Sequence, residues 1–419
     1  MFRHKSCMKW GSVLQITVAR KQRRDLMIIC SVVYDRPDTV PAGVELTLWK
    51  LSRQLTELGC DVHILFDEKS GTAGLEATVD GIHFHGVGSH PSDPLSHKVV
   101  FARNGGQRLR QIQKAFNPDV FAFHGPGSLP PLLDFRRKSA RPFVYHTYAA
   151  LPFEARTHLA GMSRTSLSAF FGKSLMYAFY SPLEFFSLRR IQKLVLPMDR
   201  AAEEFRTCYA CPHGLIGIVP LGQDLYERYG NRGQEVSTEA MYGKRILLFV
   251  GNDWHRKGVW SLLLAFRAVL NRIPNVILII TGPPQEPFVS LARDLDLADS
   301  VIFPGNVDER TLAGLYEACD IFVLPSFHEG FSNTVIEAMA FSKPVIVTRI
   351  AGYPVVTHGK EGLLVNAADC GSISSSIERL LGDRELYEEM SRNAAAKAKE
   401  YTWRNAAIKL LKIYDTIKS

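Results

Sequence analysis

Glu329 and Glu337 stand eight residues apart in the segment HEGFSNTVIEAMA, with Gly330 directly after the first of them. A carboxylate accepts hydrogen bonds from ribose or sugar hydroxyls, and a glycine beside it lets a ligand approach the backbone closely. Upstream, CDIFVLPS is the short apolar, β-branched run of a buried parallel strand; downstream, TVIEAMA repeats its apolar residues at helical spacing. Glu329 is therefore expected in the loop at the strand's carboxyl end, and Glu337 about two turns into the following helix. Between them Ser332, Asn333 and Thr334 offer N-cap side chains and a helix N-terminus whose N–H groups can seat a diphosphate. Taken alone, the motif is equally compatible with solvated glutamates on an ordinary strand-loop-helix unit.

The flanking sequence decides between these readings. The loop GNDWHRKG, Gly251 to Gly258, follows the strand-like run RILLFVG and ends where a helix begins, so Arg256 and Lys257 are expected to be cations at a strand's carboxyl end, facing the same cleft as Glu329. A nucleotide sugar loses a diphosphate as its bond breaks, and an Arg beside a Lys stabilises that growing negative charge without a metal. No metal cofactor is expected, because these two cations can take that role. Cys208, Cys211 and His213 form a CxxCPH cluster, but no second ligand pair at structural-zinc spacing follows it.

Around these loops the chain must supply two cores. Its 419 residues suit two domains of about 200 residues each, on the usual domain-size prior. A 46% hydrophobic and 22% charged composition is that of a globular protein, and no apolar run reaches the length of a membrane span. The net charge of +8 is concentrated at the amino terminus, where residues 1–25 carry seven basic residues against Asp25. A basic arm on a nearly neutral body argues against a nucleic-acid groove; it reads as a poorly ordered leader, or as an arm attracted to anionic lipid. The leader lacks the pattern of a secretory signal, and seven scattered cysteines suit reduced thiols, so a cytoplasmic location is expected.

Strand-like runs recur at DLMIICSVVY, DVHILF, GIHFHGV, DVFAFHG, PFVYH and KLVLPM, separated by helical or polar stretches. The reading is an α/β protein of two doubly wound domains: residues 26–222, a polar linker 223–244, residues 245–400, and a terminal helix 401–419.

Together these motifs resemble glycosyltransferase family 4, the retaining, nucleotide-sugar-dependent enzymes of the GT-B fold. The paired glutamates within EGFSNTVIEAMAFSKPVIV, the basic loop Arg256-Lys257-Gly258, VPLGQD at Val219 to Asp224 and AGYPVVTHGKEGLLV carry the likeness. The resemblance implies that Glu337 holds the ribose hydroxyls and that Glu329 contacts the transferred sugar. The backbone after Gly330, at Phe331, Ser332 and Asn333, would hold the β-phosphate, while Arg256 and Lys257 stabilise the leaving diphosphate. It further implies that the backbone at Val307 lies by the nucleobase, that Gly43 in PAGVE sits near the diphosphate, and that His146 in FVYHTY lies beside the reacting sugar. A lone histidine ending a strand also suits a purely structural role.

The expected activity is transfer of a hexose, from a UDP-sugar by preference, to a saccharide or lipid-linked saccharide in cell-envelope or exopolysaccharide synthesis. A nucleotide-sugar epimerase and a non-catalytic nucleotide-sugar-binding subunit are the alternatives. Asn252 stands where many members carry an arginine, and the glycine loop has one glycine where many have two; the loop pattern is similar to that of lipopolysaccharide-core glycosyltransferases. The aromatic-rich stretch from Ser166 to Lys193 reads as a helix pair packed over the first sheet, or as a surface resting on a membrane, with peripheral contact at its inner face. By the same resemblance, the amphipathic helix YTWRNAAIKLLKIYDTI crosses back onto the first domain.

Overall fold

The computed structural model describes residues 26–39, 43–68, 75–88, 94–135, 139–160, 167–230 and 241–418. The basic leader lies outside the described residues, as does the middle of the expected linker. Two compact units emerge. One comprises the chain up to Thr147, Tyr180–Leu194 and Leu411–Ser419; the other comprises Tyr148–Phe179 and Val195–Leu410.

The second unit holds a six-stranded sheet: β9 (Arg245–Val250), β10 (Val276–Thr281), β11 (Val301–Gly305), β12 (Ile321–Leu324), β13 (Val345–Thr348) and β14 (Gly362–Val365). They align in the order β11-β10-β9-β12-β13-β14, and every pair in register is parallel. Parallel strands covered on both faces must be apolar throughout, which is why VILIIT and VIVT are buried at every position. The sheet grows outward from β9 one way, then resumes beside it with β12. The loops after β9 and β12 thus diverge at a topological switch point, where an open α/β sheet has its ligand crevice.

An eight-stranded sheet is built on the same plan. Its order is β3-β4-β2-β1-β5-β6-β7-β8, with β1 at Ile28–Val32, β2 at Asp61–Glu68, β3 at Glu76–Val79, β4 at Ile82–Gly88, β5 at Val120–His124, β6 at Phe143–His146, β7 at Lys193–Leu196 and β8 at Ile216–Ile218. The β3 strand pairs antiparallel with β4, an edge hairpin with alternating exposure that the sequence reading does not include. Leu225–Tyr229, within the expected linker, forms a short helix whose Leu225 joins the core of the second unit. The terminal helix Trp403–Asp415 ends in the first unit, where the buried Tyr414 hydroxyl meets His146 Nε2 at 2.9 Å.

Candidate functional site

Both switch-point loops of the second unit converge on Glu329. Its Oε1 lies 3.0 Å from Lys257 Nζ and its Oε2 lies 3.4 Å from Arg256. Burial pushes the Glu329 carboxyl up, but Lys257, Arg256 and the hydrogen bonds from Lys257 and Ser326 outweigh it and hold it below its ordinary value. It is therefore a carboxylate at neutral pH. Arg256 also donates to the His328 carbonyl at 2.5 Å and reaches Asp253 at 3.3 Å, contacts that hold its partly exposed guanidinium in place. Lys257 is more enclosed, 11% exposed against 35% for Arg256. One cation is thus a largely buried partner of the carboxylate and the other a partly exposed one.

Small residues let the basic loop approach this close. Gly258 has φ 78°, and a Cβ there would lie 2.1 Å from the Pro325 carbonyl oxygen. A Cβ on Gly251 would meet Lys257 Cδ at 2.2 Å, so the lysine stem runs directly across that glycine. Ser326 is fully buried, with Oγ 3.1 Å from Glu329 Oε1, 3.0 Å from the His328 carbonyl and 3.1 Å from the Arg256 carbonyl. Phe327 N–H donates to the same Arg256 carbonyl at 2.9 Å, tying one loop to the other. The sequence reading passed over Ser326; its place two residues after the β12 strand was the only signal.

The helix after Glu329 runs Asn333–Ala340, which puts Glu337 a little over one turn into it instead of two. Ser332 occupies the N-cap position but makes no side-chain cap hydrogen bond; its hydroxyl lies 3.3 Å from that of Thr334. Asn333 Oδ1 is buried with no hydrogen-bond partner. A helix start without a side-chain cap presents its N–H groups and the positive end of its dipole to an anion. Glu337 is partly exposed and is oriented by Tyr316, whose buried hydroxyl donates to Oε2 at 3.0 Å. Tyr316 sits on the preceding helix with no spacing relation to Glu337, so this pairing arises only in the fold. Gly330 would place a Cβ 3.8 Å from Tyr148, with no nearer obstacle. Val307 follows β11 and Phe331 packs on the second core, both partly buried.

Gly43 and His146 belong to the first unit. Gly43, at φ 85°, opens the helix Gly43–Glu57 after β1. His146 ends β6, stacked on the His124 ring with centroids 4.3 Å apart. Burial pushes the His146 imidazole down to about 3, and His124, with burial and His146 against it, falls well below its ordinary value. Both are neutral at pH 7. Among the described residues no group of three or more His, Cys, Asp or Glu side chains is arranged to hold a metal ion. Six described cysteines are free, Cys208 and Cys211 among them.

Two doubly wound α/β sheets with a terminal helix returning to the first unit define the GT-B class, and solved structures bear this out. Sucrose-phosphate synthase from Thermosynechococcus elongatus superposes with a TM-score of 0.74 over 93% of this chain and 98% of its own, at 17% identity. HepE from Anabaena, in complex with UDP and glucose, does so with a TM-score of 0.66 over 93% of this chain and all of its own, also at 17% identity. Residues 41–227 match the model described as Glycosyltransferase Family 4, and residues 234–397 match Glycosyl transferases group 1. The chain belongs to glycosyltransferase family 4. Similar curated proteins include the D-inositol 3-phosphate glycosyltransferases of Corynebacterium jeikeium, 29% identical over 54% of this chain and 57% of that protein, and of Corynebacterium diphtheriae, 32% identical over 49% of this chain and 51% of that protein. The match thus spans about half the length of these relatives.

Proposed function

We propose that this protein is a retaining glycosyltransferase that moves a hexose from a nucleoside diphosphate sugar, UDP-linked by preference, to a hydroxyl of a saccharide or lipid-linked saccharide. The observation that carries the reading is the Glu329 carboxylate held between Lys257 and Arg256 at a switch point, beside a helix start with no side-chain cap. Cations and helix N–H groups stabilise a diphosphate as it departs and gain strength as its charge grows, which is differential binding of the transition state. Glu337, presented by Tyr316, would accept from the ribose hydroxyls, and Glu329 would face the transferred sugar. The backbone at Gly330, Phe331, Ser332 and Asn333 would take the β-phosphate and that at Val307 the base; for Gly43 and His146, in the first unit, the roles stay those the family resemblance implies.

In this reading the acceptor oxygen bonds to the anomeric carbon on the face from which the diphosphate leaves. The acceptor's proton passes to a phosphate oxygen, so configuration is retained without a protein nucleophile or a metal. The HepE complex with UDP and glucose, similar in fold, supports a UDP-hexose donor. The names of the D-inositol 3-phosphate glycosyltransferases add a phosphorylated polyol to the acceptors worth testing. A role in cell-envelope or exopolysaccharide synthesis, in the cytoplasm, is part of the same proposal.

The test is a thermal-shift screen of nucleoside diphosphates and their sugars, followed by product analysis with candidate acceptors. Stabilisation by UDP or a UDP-hexose and a retained glycosidic linkage are expected. No stabilisation by any nucleotide sugar overturns the reading, and free isomerised sugar from donor alone assigns the protein as an epimerase instead.

A further inference from the structure

The helix Leu167–Leu188 shows solvent the wrong side. Leu175 is 71% exposed, Phe179 38% and Phe186 52%, and Ala178, Pro182 and Arg189 are exposed with them. At 3.6 residues per turn these six positions fall within an arc of about 100°, a single stripe along the helix and its end. No charged side chain interrupts the stripe before Arg189. The acid of this helix half, Glu184, is instead fully buried, accepting a hydrogen bond from Tyr145 at 2.9 Å. A helix resting on its own protein normally buries its apolar stripe and exposes its charge; this one does the reverse.

Two further features select what covers the stripe. Pro182 lies inside the helix, and its missing N–H leaves the carbonyl of Ala178, on the same face, without its helical donor. Such a carbonyl is costly in a dry protein interface but is satisfied in a hydrated headgroup layer. Basic residues gather at one end: Arg189, whose guanidinium lies 4.2 Å from the Phe185 ring centroid, then Arg190 and Lys193. Apolar side chains beside arginines are the signature of a helix lying in the surface of an anionic bilayer. No helix among the described residues is long and apolar enough to cross a membrane, so the contact is with the surface.

We propose that the Leu175–Arg189 face docks this protein on anionic lipid bilayers. The inference rests on this helix alone and does not depend on the donor reading. The test is co-sedimentation of the full chain with phosphatidylcholine vesicles, with and without phosphatidylglycerol, at low and high salt. Binding is expected only with the anionic lipid, weakened by salt in proportion to its electrostatic part. The paired substitution Phe179→Ser with Phe186→Ser should lower partitioning about tenfold or more, while leaving any thermal shift by UDP unchanged. In a separate Phe179→Trp variant, tryptophan emission should move to shorter wavelength on adding anionic vesicles. Equal vesicle binding by the paired Ser variant would assign any attraction to the basic leader and overturn the proposal. So would the absence of vesicle binding by the parent chain, or a dimer of the parent that the Ser variant abolishes.

Discussion

Replacing Lys257 by methionine separates its ion pairing with Glu329 from the leaving-group role proposed for it. Its stem crosses Gly251 and its ammonium lies 3.0 Å from Glu329, with both side chains about nine-tenths buried. Methionine keeps the stem's volume over Gly251 and removes only the charge. Removing one member of a buried ion pair costs about 3–5 kcal/mol because the remaining charge is left without compensation. Arg256 at 3.4 Å and the Ser326 hydrogen bond still serve Glu329, so a loss of about 2–3 kcal/mol is expected in urea denaturation. Transfer should fall about 10²–10³-fold, the usual effect of deleting one preorganised electrostatic donor. The double variant Lys257→Met with Glu329→Gln resolves the matter, because the glutamine no longer needs a counter-ion. Stability should return to within about 1 kcal/mol of the parent, while single-turnover transfer stays low. Recovery of transfer in the double variant would show that Lys257 serves only to neutralise Glu329, and the leaving-group role would be refuted.

Gly258→Ala should destabilise the second unit by more than about 3 kcal/mol, since it combines backbone strain with a carbonyl contact at 2.1 Å. Gly359→Ala, also at positive φ (84°) but with nothing within 4 Å, should cost only about 1 kcal/mol; similar losses in the two variants would contradict the close approach of the loops. Tyr316→Phe should raise the donor KM about tenfold, the worth of one hydrogen bond to a charged group, with kcat nearly unchanged, because it loosens Glu337 without touching the leaving group; an unchanged KM would free Glu337 from the donor site. Acid should destabilise the first unit through His146 and His124. Their folded values lie below the ordinary 6.5, so at pH above it neither state binds the protons and the stability is fully present; as pH falls from 6.5 toward the His146 value of about 3, the unfolded chain takes up protons that the folded site refuses. His124→Phe should therefore flatten the fall in unfolding temperature over that window, and an unchanged slope would place the acid sensitivity elsewhere.

The sequence by itself determined the two doubly wound sheets and the loops that matter. Runs such as VILIIT and the helical spacing of TVIEAMA are local signals, and a strand apolar at every position has few alternatives to a buried parallel sheet. It also placed Glu329, Arg256 and Lys257 in strand-to-helix loops, where the structure has them. The antiparallel β3 edge was not legible, since Glu76–Val79 is a short run with two exposed positions. The depth of Glu337 in the helix, about two turns expected and a little over one found, was not legible because where a helix starts depends on φ and ψ, not on residue type alone. Only the tertiary structure decided that Glu329 is ion-paired to both cations across more than 70 residues, that Ser326 locks one loop to the other, and that Tyr316 aims Glu337. The same holds for the outward apolar stripe of Leu167–Leu188. Composition shows that this helix is apolar, but which arc faces solvent depends on where the rest of the chain packs.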